Sequence, residues 1–421
     1  MDILKKSMEI EKIVNHAITT VPFYMDSNHE YISYIKKNGF ILKNADEWGS
    51  IPFTKKEDIV LHGDSFISAK FLPYYLQNKL LRVRTSGSTG KCVEIYWNHT
   101  DNYRSLISLW LKRKKYYQIN PHDRHCYFYT TRESGKTERE TEDLGYARGF
   151  CKCDLNDEKL IRIWAQMVEY APVWLSLQPS MATLLSSIVE NYDLPQIPSL
   201  RYIELTGEML LTSNREKIEK NLKARIANQY GCMEMNSIAY ECSKGQLHCM
   251  EDNVFTEILD HKGKSVLDGE EGEIYLTTLR NYAMPLIRYR IGDRGRFSGH
   301  QCGCGNREKV IEITNGRSND WVIDNNGKRI NAYIFIRCIN NINQLCENAI
   351  YQFQVIQHKI GQFTVMLVVD DEFEEEDIEG LFKEHLWQTS LSGANFNFIF
   401  HASLYPDDCV GKLKWFINEI D

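Results

Sequence analysis

The sequence predicts an α/β fold with a large N-terminal α/β domain, a β-rich segment near the end of that domain, and a small C-terminal α+β domain. Strand-like segments at residues 173–177 and 201–205 alternate with amphipathic helical segments, which is typical of an α/β sheet. From residue 254 to residue 296 the pattern changes to successive strands. Beyond a glycine-containing stretch, strands and helices alternate again. We therefore predict two domains, residues 1–317 and 318–421.

Each predicted element follows from its local pattern. Apolar residues recur every three or four positions in the predicted helices, and Val21–Pro22 ends the first of them. Apolar runs bounded by turn residues predict the strands. The predicted helices cover residues 3–20, 31–37, 101–117, 159–170, 180–191, 214–222, 332–341 and 375–387. The predicted strands cover residues 80–83, 93–97, 173–177, 201–205, 224–228, 254–259, 272–277, 286–290, 321–323, 351–358 and 363–369. A charged stretch at residues 132–142 is predicted to be a mobile surface loop.

Composition excludes several classes of protein. A chain of 421 residues with 43% hydrophobic and 25% charged residues is typical of a globular protein with more than one domain. The net charge of -7 argues against a nucleic-acid partner. The sequence shows neither an apolar run of membrane-spanning length nor a signal-peptide pattern, so we expect a cytoplasmic protein without a membrane partner. The twelve cysteines are then expected to be free thiols or metal ligands. The sequence indicates no oligomeric state.

A loop rich in glycine and hydroxyl groups lies between the first two predicted strands. Glycines let the backbone approach an anion, while hydroxyls and a lysine add donors and charge, so the loop is suited to polyphosphate. It is not a Walker A loop, which needs glycine at Thr85 and Ser or Thr at Cys92. Taken alone, the loop is equally well explained as a polar hairpin turn. Its residues are Thr85, Ser86, Gly87, Ser88, Thr89, Gly90 and Lys91.

Two further motifs follow predicted strands of the α/β sheet. Thr206, Gly207 and Glu208 come after the strand at 201–205, and residues 229–234 come after the strand at 224–228. Ligands of open α/β sheets bind at the carboxyl ends of strands. In the second motif Glu234 has the chemistry to hold Mg²⁺, and Tyr230, which precedes Gly231, to stack on a base. The alternative for each motif is a turn glycine beside a solvated glutamate.

Charged residues also follow the predicted strand at 286–290, which is expected to end in Gly292 and Asp293. A carboxylate in that position can accept hydrogen bonds from both hydroxyls of a ribose. Further along, Arg317 and Asn319 lie in the predicted interdomain segment, and Lys412 follows a glycine near the C-terminus. A single Gly–Lys pair carries little information by itself.

In this order, the motifs resemble the adenylate-forming superfamily of acyl-CoA synthetases. The closest resemblance is to the phenylacetate–CoA ligase-like branch, which includes capsule-biosynthesis proteins of uncertain substrate. It begins at residues 21–24 and 51–58 and continues to Lys412, so it covers nearly the whole chain. It implies a large adenylate-forming domain and a small mobile C-terminal domain.

The resemblance implies a role for each motif. The loop from Thr85 to Lys91 is similar to the one that covers the ATP phosphates, and Thr206, Gly207 and Glu208 to the motif on the adenine side. By the same resemblance, Tyr230 is expected to pack on adenine, Glu234 to bind Mg²⁺ and Asp293 to bind the ribose. Arg317 is expected to reach ribose or phosphate. Asn319 is expected at the interdomain hinge, and Lys412 in the adenylation site.

The implied activity is ATP-dependent activation of a carboxylic acid as an acyl adenylate, with release of pyrophosphate and transfer to a thiol, expected to be CoA. The acid is expected to be aryl or arylacetic, although Arg132 and Arg148 could equally select a second carboxylate. Its pocket is expected between residues 127–129, residues 178–180 and Thr206. One alternative is an adenylating enzyme that loads a carrier protein or an amine. The other is a non-catalytic relative that binds a nucleotide. The sequence departs from the family pattern at Met233, Asn319 and Cys92, and in the residues after Lys412.

Cys242, His248, Cys302 and Cys304 form a separate group of metal-ligand type. Three thiols and one imidazole match the ligand set of tetrahedral structural Zn²⁺. Both pairs lie in glycine-containing turns, where thiols without a metal would be exposed to oxidation. Reduced loop cysteines are the alternative. Cys249 is a spare ligand, and the Cys151–Cys153 pair is predicted to be structural.

Overall fold

The structure is a computed structural model, and it describes residues 7–27, 29–42, 44–85, 93–130, 140–315, 321–406 and 412–420. Its helices are α1 (Ser7–Thr20), α2 (Pro22–Met25), α3 (Glu30–Asn38), α4 (Ala45–Gly49), α5 (Lys56–His62), α6 (Leu72–Leu76), α7 (His99–Lys112), α8 (Asp157–Tyr170), α9 (Pro179–Asn191), α10 (Thr212–Leu222), α11 (Tyr333–Leu345) and α12 (Glu375–Trp387). Short 3-10 turns cover Gly63–Phe66 and Ala69–Phe71, and a π turn covers Arg113–Tyr117. No helix among these residues is long and apolar enough to cross a membrane.

The strands of the first half of the chain are β1 (Leu81–Arg84), β2 (Glu94–Trp97), β3 (His125–Tyr129), β4 (Thr141–Asp143), β5 (Ala147–Cys151), β6 (Trp174–Leu177), β7 (Tyr202–Thr206) and β8 (Arg225–Cys232). Those that follow are β9 (Asn236–Glu241), β10 (Leu247–Cys249), β11 (Val254–Leu259), β12 (Gly272–Thr278), β13 (Tyr289–Phe297), β14 (Ile311–Asn315), β15 (Trp321–Ile323), β16 (Arg329–Asn331), β17 (Ile350–Lys359), β18 (Gln362–Val369), β19 (Asn395–Phe400) and β20 (Phe416–Asn418). The predicted α/β class is confirmed.

Three predicted boundaries were wrong. The strand predicted at 224–228 continues to Cys232, so Tyr230 and Gly231 lie inside β8 and not after it. The strand predicted at 286–290 begins only at Tyr289 and runs past Asp293 to Phe297. Thr141 and Glu142, predicted to be loop, belong to the short strand β4. In each case pairing with neighbouring strands outweighs a local turn preference.

The chain groups into two compact units, each made of two segments. The first unit comprises Met1–Asn120 and Gln229–Arg317, and the second comprises Pro121–Asn228 and Ser318–Asp421. The second segment of the first unit ends at residue 317, and the second segment of the second unit begins at residue 318. The sequence predicts its domain boundary at the same place. The division into a large and a small domain stays a prediction.

The first unit combines the N-terminal helices with antiparallel strands. The hairpin of β1 and β2 brackets the predicted phosphate loop, with Arg84 opposite Glu94. Strands β11, β12, β13 and β14 form a four-stranded antiparallel sheet, and β9 pairs with both β10 and the end of β8. Trp97, Phe66 and Tyr289 are among the largest fully buried side chains of its core.

A buried arginine holds the first unit together. Arg288 is 1% exposed, and its guanidinium donates to Glu257 at 3.0 and 3.3 Å. The remaining donors reach the carbonyl oxygens of Trp48, Gly49 and Ile51 at 2.8 to 3.2 Å. Because every lost hydrogen bond of a buried guanidinium is costly, this network fixes the start of β13 against the end of α4 and the residues that follow it.

The second unit contains a parallel sheet in the order β5, β3, β6, β7, with β4 antiparallel to β5. Helices α8, α9 and α10 pack their apolar faces on this sheet, and Leu160, Leu184 and Ile218 are fully buried there. Because the strands are parallel, their carboxyl ends share one edge, which we call the strand-end edge. It includes Tyr129, Cys151, Leu177 and Thr206.

The C-terminal segment of the second unit has its own sheet and core. Its strand order is β19, β18, β17, β20, and α11 and α12 supply buried side chains such as Phe335 and Phe382. Leu211 belongs to the same core, and Ser213 donates to the carbonyl oxygen of Ile350 at 3.2 Å. These contacts join the C-terminal segment to the start of α10.

Candidate active site

The strand-end edge of the second unit carries the predicted motif of Thr206, Gly207 and Glu208. Thr206 ends β7, and Gly207 follows with a φ of +86°. The ammonium group of Lys412 donates to the carbonyl oxygen of Gly207 at 2.9 Å. A Cβ at position 207 would lie 3.5 Å from that nitrogen, which is an ordinary contact, so the positive φ is the stronger reason for glycine here. The structure therefore brings together two motifs that the sequence singled out separately.

Glu208 lies between the start of α9 and the C-terminal segment. Its carboxylate accepts hydrogen bonds from the backbone N–H of Ser180 at 3.0 Å and of Leu413 at 3.3 Å. Ser180 is in the first turn of α9, where an N–H has no partner within the helix and a negative charge is favourable. Burial raises the pKa of Glu208, against the opposing effects of Ser180 and of the charges on Lys412 and Lys152.

Lys152 is a residue of this edge that the sequence analysis missed. It follows β5 directly, is 3% exposed, and donates from its ammonium group to Oε1 of Gln178 at 3.0 Å. Burial lowers its pKa to about 8, while the carboxylate of Glu208 opposes that shift. The flanking Cys151 and Cys153 are buried, in keeping with a structural role. The sequence analysis did not predict β5. A predicted strand at that position would have placed Lys152 beside the other strand ends.

In the first unit, the predicted adenine and ribose residues form a pair. The phenol group of Tyr230 donates to Oδ2 of Asp293 at 2.6 Å. Burial, followed by the charge of Asp293, raises the pKa of Tyr230 well above its usual value, so the phenol stays protonated. Gly231 follows at an irregularity of the β8–β9 pairing, and a Cβ there would lie 2.5 Å from the carbonyl oxygen of Asn236.

Asp293 lies where β13 bulges from β12. Arg290 is opposite Tyr275 and Arg294 is opposite Glu273, so β13 has two more residues than its partner over this stretch. Gly292, with a φ of +92°, provides the turn within the bulge. Bulges are common beside active sites because they redirect a side chain. This one sets Asp293 apart from the regular ladder.

Glu234 is 8% exposed and lies just after β8. It accepts a hydrogen bond from the phenol of Tyr289 at 3.1 Å. Burial and the negative charge of Glu234 raise the pKa of Tyr289 well above its usual value. By contrast Met233, where the sequence departs from the family pattern, is 53% exposed.

Thr85 ends the predicted phosphate loop on its N-terminal side and is buried. Its hydroxyl accepts from the N–H of Val93 at 3.0 Å, and its own N–H donates to the carbonyl oxygen of Val93 at 2.9 Å. These bonds close the hairpin at the base of the loop. Several predicted residues lie outside the described residues: Ser86, Gly87, Ser88, Thr89, Gly90, Lys91, Arg132, Arg317 and Asn319.

Arg148, one of two candidates for binding a second substrate carboxylate, has other partners. Its guanidinium forms an ion pair with Asp143 at 2.7 Å and lies 4.1 Å from the ring centre of Tyr170. Both contacts lie toward the amino end of β5, away from the strand-end edge. The charge of Arg148 is therefore already paired.

The four predicted zinc ligands of the first unit converge. Their ligand atoms all lie within 4.8 Å of one another, with Cys242 and Cys302 sulfurs 3.7 Å apart and the Cys304 sulfur 3.3 Å from Nε2 of His248. Tetrahedral zinc, with bonds of about 2.3 Å to sulfur and about 2.1 Å to nitrogen, places such atoms about 3.6 to 3.8 Å apart. The hairpin turn through Gly245 joins the first two ligands, as predicted.

The surroundings of these ligands suit a metal. Nδ1 of His248 lies 2.9 Å from the carbonyl oxygen of Glu308, so it is the protonated nitrogen and Nε2 is left to bind. Burial lowers the pKa of His248, which favours the neutral ring that a metal requires. Backbone N–H groups of Lys244 and Asn306 point at the sulfurs of Cys242 and Cys304, each at 3.4 Å.

Comparison with known proteins finds a matching domain family and several relatives. The family described as the CapK C-terminal domain matches residues 322–419. Protein CapK of Staphylococcus aureus is 24% identical over 99% of this chain and 91% of its own length. The chain is therefore similar to CapK and to phenylacetate–CoA ligases. A phenylacetate–coenzyme A ligase of Thermus thermophilus is 26% identical over 75% of this chain and 70% of its own length.

Solved structures share the fold of this chain. A 2-hydroxyisobutyryl-CoA ligase in complex with an acyl-AMP gives a TM-score of 0.73 at 15% identity, covering 100% of this chain and 91% of the ligase. A benzoate CoA ligase from Burkholderia xenovorans gives 0.51 at 15% identity, covering 76% and 65%. The predicted resemblance and the adenylate-forming fold are confirmed.

Proposed function

We propose that this protein activates a carboxylic acid with ATP, forming an acyl adenylate and releasing pyrophosphate, and then transfers the acyl group to the thiol of CoA. The observation that carries the proposal is the ammonium group of Lys412 at the carbonyl oxygen of Gly207. This pairing joins the C-terminal lysine, which the family resemblance assigns to the adenylation site, to the strand-end motif that it assigns to the adenine side. The relatives named above as CoA ligases support the same reaction.

The first step must bring two anions together, because the substrate carboxylate attacks the α-phosphate of ATP. A fixed ammonium group such as that of Lys412 reduces their repulsion and stabilises the charge that develops in the transition state. The attacking carboxylate is already ionised, so the step needs no general base. The proposed site therefore assigns no residue the role of general base.

Residues of the first unit are proposed to hold the nucleotide. We assign the ribose hydroxyls to Asp293, whose carboxylate is oriented by Tyr230, and adenine to the ring of Tyr230. Thr85 and the loop after it are assigned to the phosphates, and Arg317 to ribose or phosphate. Glu234 supplies one buried carboxylate, which fits a Mg²⁺ ion that takes its other oxygens from phosphates and water. When bound, that ion neutralises part of the phosphate charge.

The thiol acceptor and the movement between the two steps are further parts of the proposal. CoA is favoured because the relatives named above are CoA ligases. A carrier-protein thiol or an amine is the alternative acceptor. The domain of residues 318–421, which carries Lys412, is proposed to rotate about Asn319 between the two half-reactions.

The test is carboxylate-dependent exchange of labelled pyrophosphate into ATP, with a panel of aryl, arylacetic, aliphatic and dicarboxylic acids. Exchange that requires both an acid and Mg²⁺ is the expected result. ATP binding without exchange for any acid would favour the non-catalytic relative. Each active acid is then tried with CoA, with a pantetheine thiol and with amines, and the product identified by mass spectrometry names the acceptor.

We further propose that Cys242, His248, Cys302 and Cys304 hold a structural Zn²⁺ ion. Their spacing, the fixed tautomer of His248 and the N–H groups directed at two sulfurs support this. Four protein ligands complete a tetrahedral site, leaving no position for water or substrate. Metal content of protein purified without chelator is the direct measurement.

A further inference from the structure

Tyr289 is a buried residue at the start of β13 to which the proposed reaction gives no role. It is 1% exposed, and its phenol group donates to Oε1 of Glu234 at 3.1 Å. Glu234 lies in the turn between β8 and β9 and is the carboxylate proposed to hold Mg²⁺. The polar atom of a core side chain is thus directed at a proposed metal ligand.

Two phenol–carboxylate hydrogen bonds join the same two segments in opposite directions. Tyr230 of β8 donates to Asp293 of β13 at 2.6 Å, and Tyr289 of β13 donates to Glu234 just after β8. Each segment therefore supplies one phenol and one carboxylate, and both carboxylates are proposed ligands of the nucleotide or its metal. One phenol donor uses one of about four acceptor positions of a carboxylate, so a cation can still bind at the others.

The backbone around Tyr289 is fixed by Thr54, which is 1% exposed. The N–H of Thr54 donates to the carbonyl oxygen of Arg288 at 3.1 Å, and the N–H of Arg290 donates to the carbonyl oxygen of Thr54 at 2.9 Å. Thr54 belongs to residues 51–58, a stretch of the family resemblance for which the proposed reaction has no use. These two hydrogen bonds enclose Tyr289 and set where its side chain starts.

The backbone around Glu234 is fixed as well. The side-chain amide of Asn253 donates to the carbonyl oxygens of Met235 and Ser237, each at 2.7 Å, and so holds the turn and the start of β9. With the backbone held, the side-chain torsions of Glu234 are the freedom that remains. The phenol of Tyr289 restrains those torsions through its hydrogen bond to Oε1.

We propose that Tyr289 is a positioning residue, which holds the Glu234 carboxylate in the orientation that binds Mg²⁺ together with ATP. A carboxylate whose orientation is already fixed by a hydrogen bond loses less freedom when it binds an ion. This inference rests on the proposed function and adds to it a residue that acts through Glu234. Tyr230 acts on the ribose through Asp293, so the two phenols affect different parts of the bound nucleotide.

The first test measures binding with no acid present, so that no turnover occurs. Isothermal calorimetry gives the Kd of ATP in saturating Mg²⁺ and the Kd of adenosine, which has neither phosphate nor metal. In Tyr289→Phe we expect the Kd of Mg–ATP to rise roughly tenfold while that of adenosine stays unchanged. Tyr230→Phe should raise both. Tyr275→Phe removes a phenol–carboxylate bond of the same 3.1 Å length, to Glu273, and should raise neither.

A double-mutant cycle decides whether Tyr289 acts through Glu234. Glu234→Ala should weaken Mg–ATP binding, and adding Tyr289→Phe to it should change the Kd by less than about twofold, because the group to be positioned is gone. Full additivity of the two losses overturns the inference. So does an equal loss for Mg–ATP and adenosine in Tyr289→Phe, an unchanged Kd for both, or ATP binding by the native protein that Mg²⁺ does not strengthen. Thermal melting of each variant ensures that binding is measured on folded protein.

Pyrophosphate exchange separates this inference from the proposed function. In Tyr289→Phe, half-maximal exchange should require roughly tenfold more Mg²⁺, and a high Mg²⁺ concentration should restore most of the native kcat. Mg–ATP binding that depends on Tyr289, without exchange for any acid, would uphold the inference and contradict adenylation. Exchange by Tyr289→Phe with the native dependence on Mg²⁺ would do the reverse.

Discussion

The ammonium nitrogen of Lys412 lies 2.9 Å from the carbonyl oxygen of Gly207, a residue 205 positions earlier in the chain. The next residue in each segment adds a second contact, because Leu413 donates from its backbone to Glu208. Two short motifs, each common by itself, therefore meet through two hydrogen bonds. The meeting is what makes a lysine near the C-terminus a candidate for chemistry.

Replacing Lys412 with alanine is expected to lower the rate of adenylate formation on the order of a hundredfold or more, because one charge-assisted contact of the transition state is lost. Transfer from a supplied acyl adenylate to the thiol is expected to survive. Lys414→Ala, two residues away, is the matched control. Adenylation at the native rate by Lys412→Ala would show that the lysine has no role in that step.

The Tyr230–Asp293 hydrogen bond is expected to strengthen ATP binding. Tyr230→Phe removes a bond to a charged group, so KM for ATP should rise roughly tenfold with a smaller change in kcat. Asp293→Asn should weaken ATP binding further, since the amide keeps only one acceptor oxygen for the ribose. Tyr275→Phe, which removes a similar bond to Glu273, is the control. Unchanged KM values in both variants would contradict the ribose assignment.

Zinc removal is expected to lower stability without a direct effect on chemistry. Cys302→Ser should reduce metal content and melting temperature together, because metal binding contributes to folding free energy. Cys346→Ser, a partly exposed cysteine of the other unit, should change neither. Protein that carries no zinc when purified without chelator, and that melts identically with chelator present, would exclude the site.

Arg288→Met is expected to destabilise the first unit by about 3 to 5 kcal/mol, because the carboxylate of Glu257 then stays buried without its cation. The double variant with Glu257→Leu should recover part of that loss, although three carbonyl oxygens still lack their donor. Arg290→Met removes a more exposed ion pair with Glu273 and should cost less than about 1 kcal/mol. Urea denaturation measures all three, and equal losses in the two single variants would contradict the argument.

Stability should depend on pH through Lys152. Burial holds its folded pKa at about 8, below the value near 10.4 of an unfolded lysine. Between these values the unfolded chain binds more protons, so raising the pH favours the folded state. Relative to Lys152→Met, the native protein should therefore gain on the order of 2 kcal/mol from pH 7 to pH 10.

Urea midpoints at each pH measure that difference. Among the described residues, Glu208, Lys412 and Cys153 are charged or ionisable groups that act on Lys152, and the variant retains all three. A constant difference between the two proteins across this range would mean that Lys152 is not buried as a cation.

Local patterns predicted most of the elements but not where several of them end. The helix at 375–387 and the hairpin around the phosphate loop were predicted closely because their apolar periodicity and turn residues are local properties. β8 and β13 were misplaced because Gly231 and Gly292 suggest turns. Their strands continue since hydrogen bonds to neighbouring strands outweigh that preference, and Gly292 instead forms the bulge beside Asp293.

By itself the sequence determined which residues have the chemistry for phosphate, ribose and metal binding, since residue type and short spacing are local information. Only the tertiary structure decided which of them meet. Tyr230 and Asp293 are 63 positions apart, and Lys412 and Gly207 are 205 apart. Lys152 belongs to no sequence motif, and only the order of the parallel strands places it at the strand-end edge. Such meetings depend on sheet order and core packing, which join distant segments and which no local pattern encodes.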